Sequence, residues 1–141
     1  MANSYGPDSS SLKGMRVLVV EDAWHVARAM KALLEHLEML VIGPTATIAE
    51  ARRLIAANNP RLALVDINLK HETACGLIDE LHARGTSVIV VSGYAVPAVA
   101  KEKVVAFLQK PFSGNALTAA MREAVRPELT RKIAATGHSS R

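Results

Sequence analysis

The sequence is short of what several specialised protein classes depend on. It has one cysteine, Cys75, in 141 residues. That excludes an internal disulfide and suits a reducing compartment. Aromatic residues make up only 4%, too few to build the stacking platforms that hold single-stranded nucleic acid. No apolar run approaches the roughly 18 residues that cross a bilayer. Met1 to Gly14 is polar and small, without the apolar core of a signal peptide. No glycine-rich phosphate loop of the dinucleotide-binding or P-loop kind is present, which argues against a nucleotide-binding enzyme. Excess charge is scarce as well. The formal net charge is +4, but residues 15–125 hold 12 Lys/Arg against 11 Asp/Glu, whereas residues 126–141 hold four against one. The basic excess therefore belongs to the C-terminal tail, and neither a nucleic-acid-binding nor a membrane-binding face is expected on the domain. What remains is an ordinary globular composition, half of it apolar. It is long enough to bury a core unaided and is expected to be cytoplasmic.

Residues 1–14 carry Gly, Pro and four Ser, and read as a flexible leader. One domain follows over 15–126, and a short basic tail over 127–141. Within the domain, five apolar runs alternate with helical patterns. Arg16–Val20 is a buried strand that ends on Glu21-Asp22. Val26, Met30, Leu33, Leu34 and Leu37 form one helix face. Met39–Gly43 is a second strand, stopped by Gly43-Pro44. Thr47 and Glu50 form a capping box ahead of a helix through Ile48, Ala51, Leu54 and Ile55. Leu62–Asp66, Ser87–Val91 and Val104–Leu108 are the remaining strands. A helix is predicted around Gly76–Arg84 with Gly85 as its C-cap, and a short one near Ala98–Glu102. The last runs from the N-cap Ser113 to Arg126, burying Leu117, Ala120, Met121, Ala124 and Val125. Continuous apolar strands joined by crossover helices imply an α/β fold: a doubly wound, five-stranded parallel sheet with five flanking helices.

The ligand edge of such a sheet is the carboxyl end of its strands. Here those ends deliver Glu21 and Asp22, Asp66, Ser92 and Lys110. Three carboxylates at one edge resist joint ionisation. A hard divalent cation such as Mg²⁺, which takes oxygen ligands, resolves the conflict. Lysine can clamp a phosphoryl oxygen, a serine hydroxyl can donate to another, and a carboxylate can be the nucleophile. Together they make sense as a phosphoryl-transfer site.

With these residues in that order, the chain resembles the response-regulator receiver domains of two-component signalling, over roughly Arg16 to Arg126. The resemblance implies a flavodoxin-like (βα)5 fold and assigns roles residue by residue. Glu21 and Asp22 match the acidic pair that holds Mg²⁺, Asp66 the phosphoacceptor, and Asn68 the position whose backbone carbonyl ligates the metal. Ser92 matches the hydroxyl that moves toward the phosphoryl group, and Lys110 the lysine that binds it. Pro111 follows that lysine through a bond that is usually cis in the family. Phe107 matches the aromatic switch position, with plain core as the alternative, and Tyr94 is a second candidate for that role. Ser92-Gly93-Tyr94 and Leu108-Gln109-Lys110-Pro111-Phe112 resemble the subgroup nicknamed FAT GUY, although Val90, Val91 and Ser92 stand where its signature has Phe, Ala and Thr. Only 17 residues separate Ser92 from Lys110, about one helical turn fewer than usual. The fourth helix should therefore be short, which puts the usual dimer through it in doubt.

The implied function is that of a stand-alone response regulator, a phosphoprotein rather than an enzyme. It would receive a phosphoryl group on Asp66 from a sensor histidine kinase or a phosphotransfer protein. It would then act as a shuttle, a sink or a switch for a downstream protein, as a monomer or weak dimer. One rival is a receiver-like scaffold that takes no phosphate. Another is an aspartate-nucleophile phosphatase, which needs a second aspartate where Asn68 stands. His71-Glu72-Thr73-Ala74-Cys75 superficially resembles a zinc motif but falls in a predicted loop with no third ligand.

Overall fold

Apolar runs with no polar alternation have both faces to bury, and here they become the inner strands of one parallel sheet. The computed structural model describes residues 12–70, 72–93 and 101–125. Its strands are β1 (Arg16–Val20), β2 (Leu40–Thr45), β3 (Leu62–Asp66), β4 (Asn68–Leu69), β5 (Glu72–Thr73), β6 (Ser87–Ser92) and β7 (Ala106–Gln109). Its α-helices are α1 (Trp24–His36), α2 (Ile48–Asn58), α3 (Cys75–Ala83) and α4 (Gly114–Val125), and one turn of 3-10 helix spans Lys101–Lys103. The main sheet has the order β2-β1-β3-β6-β7, and every neighbouring pair in it is parallel.

Successive strand residues point to opposite faces, so the sheet carries two cores. On one face Leu18, Val20, Ala63, Val65, Val88 and Val90 meet Ile48 and Ile55 of α2 and Leu77, Ile78 and Leu81 of α3. On the other, Val17, Val19, Leu62, Leu64, Ile89 and Val91 meet Met30 and Leu34 of α1 and Leu117 and Met121 of α4. Each such side chain, fully buried, contributes roughly 1.5–3 kcal/mol. The chain leaves β1 for the edge strand β2, then returns past β1 to β3. The order reverses between β1 and β3, which opens a crevice at their carboxyl ends.

Several expectations need adjusting. Leu12, assigned to the leader, is buried in the second core, and the Gly14 amide donates to the Glu38 carbonyl at 2.8 Å. The folded unit therefore includes the end of that segment. Gly43-Pro44 does not stop β2, which runs on to Thr45. The pairing slips between Leu18 and Val20. A proline without an N–H is accommodated on an edge strand at such an irregularity. Gly43 is required there: its φ is +94°, and a Cβ would lie 3.1 Å from the Val19 carbonyl oxygen. The Thr47–Glu50 capping box is half made. Thr47 Oγ1 accepts from the Glu50 amide at 3.2 Å, while the Glu50 carboxylate pairs with Arg53. Five flanking helices were expected; the described residues hold four α-helices and the 3-10 turn. Most of the predicted Ala98–Glu102 helix, the start of the leader and the tail from residue 127 lie outside the described residues. The small antiparallel hairpin β4–β5 occupies a segment expected to be loop. No described helix is long and apolar enough to cross a membrane.

Candidate functional site

Each site residue is placed by a strand end. β1 delivers Glu21 and Asp22 into the crevice, where the Glu21 amide is fixed by the Thr45 carbonyl at 2.9 Å. β3 is buried along its whole length and ends on Asp66. β6 ends on the buried Ser92. β7 leads into Lys110, whose amide donates to the Ser92 carbonyl at 2.8 Å. The Lys110–Pro111 peptide bond is cis.

The side chains converge. One carboxylate oxygen from each of Glu21, Asp22 and Asp66 lies within 4.8 Å of the others. Lys110 Nζ reaches between two of them, 3.1 Å from Asp66 Oδ2 and 2.9 Å from Glu21 Oε1. Its hydrogen bonds go to Asp66 Oδ2 and to Glu21 Oε2, each at 3.1 Å. Glu21 Oε1 is thus in ionic contact with the ammonium but off its hydrogen-bonding direction, a buried acceptor without a donor. Glu21 Oε2 also accepts from the Ala23 amide at 3.1 Å, which supplies a carboxylate cap that Ala23 itself cannot provide at the start of α1. Asp66 Oδ1 accepts from the Asn68 amide at 3.0 Å, and Asp22 Oδ2 accepts from the Lys70 amide at 2.5 Å.

Burial and charge together explain the ionisation behaviour. Burial pushes the Glu21 carboxyl above the usual carboxylate range, and the Asp66 charge adds to this. The bonds from Lys110 and the Ala23 amide offset it only in part. Burial alone would lower the Lys110 ammonium, but its bonds to Glu21 and Asp66, and then their charges, outweigh that and hold it above the ordinary lysine value. Three carboxylates against one ammonium leave a deficit of two positive charges. A buried carboxylate oxygen with open lone pairs faces the same space. Those features fit a hard divalent cation such as Mg²⁺.

The geometry therefore brings Glu21, Asp22, Asp66 and Lys110 together, with Asn68 beside Asp66 and Ser92 on the adjoining strand end. Phe107 stands apart on the edge strand β7. It is 36% exposed and not core. Tyr94 and His71 lie outside the described residues. Sequence reasoning missed the hairpin, the Lys70 amide on Asp22, and Glu72, whose Oε2 accepts from the Ile48 amide at 3.0 Å. Two-residue strands have no periodicity to detect, and a backbone amide has no residue type. It also passed over Trp24, 66% exposed at the start of α1, beneath Arg28 in a cation–π contact of 5.4 Å.

Among known proteins, the family model described as the response regulator receiver domain matches residues 17–122. No curated protein sequence matches. The response regulator PhyR from Brucella abortus superposes with a TM-score of 0.75 at 24% identity, over 94% of this chain and 56% of that one. A CheY-like receiver domain protein from Methanospirillum hungatei JF-1 superposes with a TM-score of 0.72 at 25% identity, over 84% of this chain and 99% of that one. The anti-anti-sigma factor PhyR from Bartonella quintana gives a TM-score of 0.74 at 23% identity, over 92% of this chain and 55% of that one. The chain thus spans little more than half the length of the PhyR proteins it matches.

Proposed function

The chain belongs to the response regulator receiver domain family of two-component signalling, and from that premise we propose that it is a phosphorylation-dependent switch whose acceptor is Asp66. One carboxylate oxygen of Asp66 attacks the phosphorus of a phosphohistidine on a sensor kinase or phosphotransfer protein. The new O–P bond forms as the P–N bond breaks. The imidazole nitrogen leaves with the electron pair. The product is an acyl phosphate on Asp66 and a free histidine on the partner.

The observation that carries this reading is the position of Lys110 Nζ, 3.1 Å from Asp66 Oδ2, beside an acidic cluster in which Glu21 and Asp66 are buried and Asp22 is half-buried. An ammonium there neutralises charge that builds on the transferred oxygens, and it needs no reorganisation to do so. It leaves the Asp66 carboxylate for the incoming phosphoryl group and remains paired with Glu21. Ser92, on the neighbouring strand end, offers its hydroxyl as a second donor. Glu21, Asp22, Asp66 and the Asn68 carbonyl are the residues that would hold Mg²⁺. Bound there, the ion supplies Lewis-acid stabilisation of the phosphoryl oxygens. The modification adds about −1.5 to −2 of charge. Drawing Lys110 and Ser92 toward that charge pulls on β6 and β7, and so on exposed Phe107. We assign this chemistry to residues 15–126 and the response to a protein partner. The name of the Bartonella quintana relative is one instance of such an output.

Intact mass after incubation with acetyl phosphate tests the reading. Wild type is expected to gain one phosphoryl group only when Mg²⁺ is present, and Asp66→Asn to gain none. Labelling of Asp66→Asn at the wild-type rate would sink the assignment.

A further inference from the structure

The segment between Asp66 and α3 is a hairpin with three separate anchors. Its base is closed by the Ala74 amide donating to the Ile67 carbonyl at 3.0 Å, with Leu69 buried in the core shared by α2 and α3. Its turn is fastened across the crevice by the Lys70 amide on Asp22 Oδ2 at 2.5 Å. Its return strand is fastened to a different element, because Glu72 Oε2 accepts from Ile48, the first residue of α2, at 3.0 Å. The first-turn amides of α2 are thus divided: Thr47 takes Glu50, and Glu72, from 24 residues away, takes Ile48. A carboxylate at a helix start is favoured by the helix dipole as well as by the bond.

We propose that the β4–β5 hairpin is a clip that sets the orientation of the Asp22 carboxylate, with Glu72 as its positioning residue. Two-residue strands are too short to hold a hairpin in place by themselves. Glu72 ties the return strand to the rigid start of α2. Lys70 then sits where its amide meets Asp22, and the carboxylate is held by that bond at the edge of the cluster. Glu72 touches neither acceptor nor metal and acts only through that chain of contacts. The consequence for Mg²⁺ rests on the phosphoacceptor reading above; the link from Glu72 to Lys70 does not.

The test uses the full chain as wild type, Glu72→Ala, Glu72→Gln and Asp22→Asn. Amide exchange is measured without metal at Ile48, Lys70 and the core residue Leu64. Mg²⁺ is then titrated with the fluorescence of Trp24, the only tryptophan in the chain and two residues from Asp22. In Glu72→Ala, Ile48 and Lys70 should exchange roughly fivefold faster and Mg²⁺ affinity should fall by a similar factor, the effect of one lost cap. Leu64 should be unchanged. Glu72→Gln, whose amide oxygen still accepts, should stay near wild type. Faster exchange at Ile48 with unchanged exchange at Lys70 overturns the clip. So does acceleration of Leu64 in step with the others, or a Gln variant that behaves like Ala. If wild type shows no more response to Mg²⁺ than Asp22→Asn, while Lys70 still follows Glu72, the metal reading fails and the clip stands.

Discussion

Two of the strands that bear the chemistry of this domain are built differently. β3 lies at the centre of the sheet with a neighbour on each side, and all five of its residues are buried. It ends on Asp66, the group argued to make the new bond. β7 is an edge strand of four residues; only Leu108 of them is buried. It leads to Lys110, the group argued to follow the new charge. A nucleophile gains from being held still, because its geometry is most of its contribution. A responding cation gains from a support that can move at low cost. The sheet provides a firm support and a yielding one, with only β6 between them.

Stability measurements can break that contrast. Leu64→Ala, at the middle of β3, should cost about 3 kcal/mol in urea unfolding, because the cavity has fixed walls on every side. A cost below about 1 kcal/mol would mean that the centre of the sheet is as forgiving as its rim. The acidic end of β1, next to β3, provides a test of intermediate size. Glu21 has its pKa raised by burial in the folded state. Its contribution to stability is therefore full below the ordinary carboxylate range and is lost as pH rises through the raised folded value. Over that same window a bound proton must leave before a cation can enter. Mg²⁺ affinity should then climb by up to about tenfold per pH unit across that window and level off above it. The Mg²⁺-dependent rise in melting temperature, followed against pH, checks this, and an affinity flat across the window would contradict it. The smallest effect belongs to the edge. Phe107→Ala should change stability by less than about 1 kcal/mol, since a third of that residue already faces solvent. Its effect should be confined to how the phosphorylated form meets its partner. A loss as large as that of Leu64→Ala would erase the distinction between the strands.

Much of this was legible from residue order alone. Parallel strands buried on both faces leave long apolar words in a sequence, and a charged residue at the end of such a word is conspicuous. That is why Asp22, Asp66 and Lys110 could be named from the chain and then found together. The last helix was legible for a similar reason: Ser113 caps it, accepting from the Ala116 amide at 3.0 Å, and Leu117, Ala120, Met121 and Ala124 are buried as their spacing predicts. Val125 is only half-buried, as the end of a helix face often is. What could not be read depends on partners distant in sequence. β2 continues past Gly43-Pro44 because β1 beside it tolerates a slip in register. Glu72 caps a helix whose first residue lies 24 positions before it, beyond the reach of any local motif. Phe107 is exposed because β7 lies at the rim, and sheet order is not written into a five-residue run.

The strand ends that carry Ser92 and Lys110 are joined by one backbone bond, from the Lys110 amide to the Ser92 carbonyl. A group that settles between hydroxyl and ammonium cannot recruit one without loading the other. On the phosphoacceptor reading proposed above, the pair would act as one lever with two handles, and a population of such molecules would signal by the fraction that has thrown it rather than by how far any one of them has leaned.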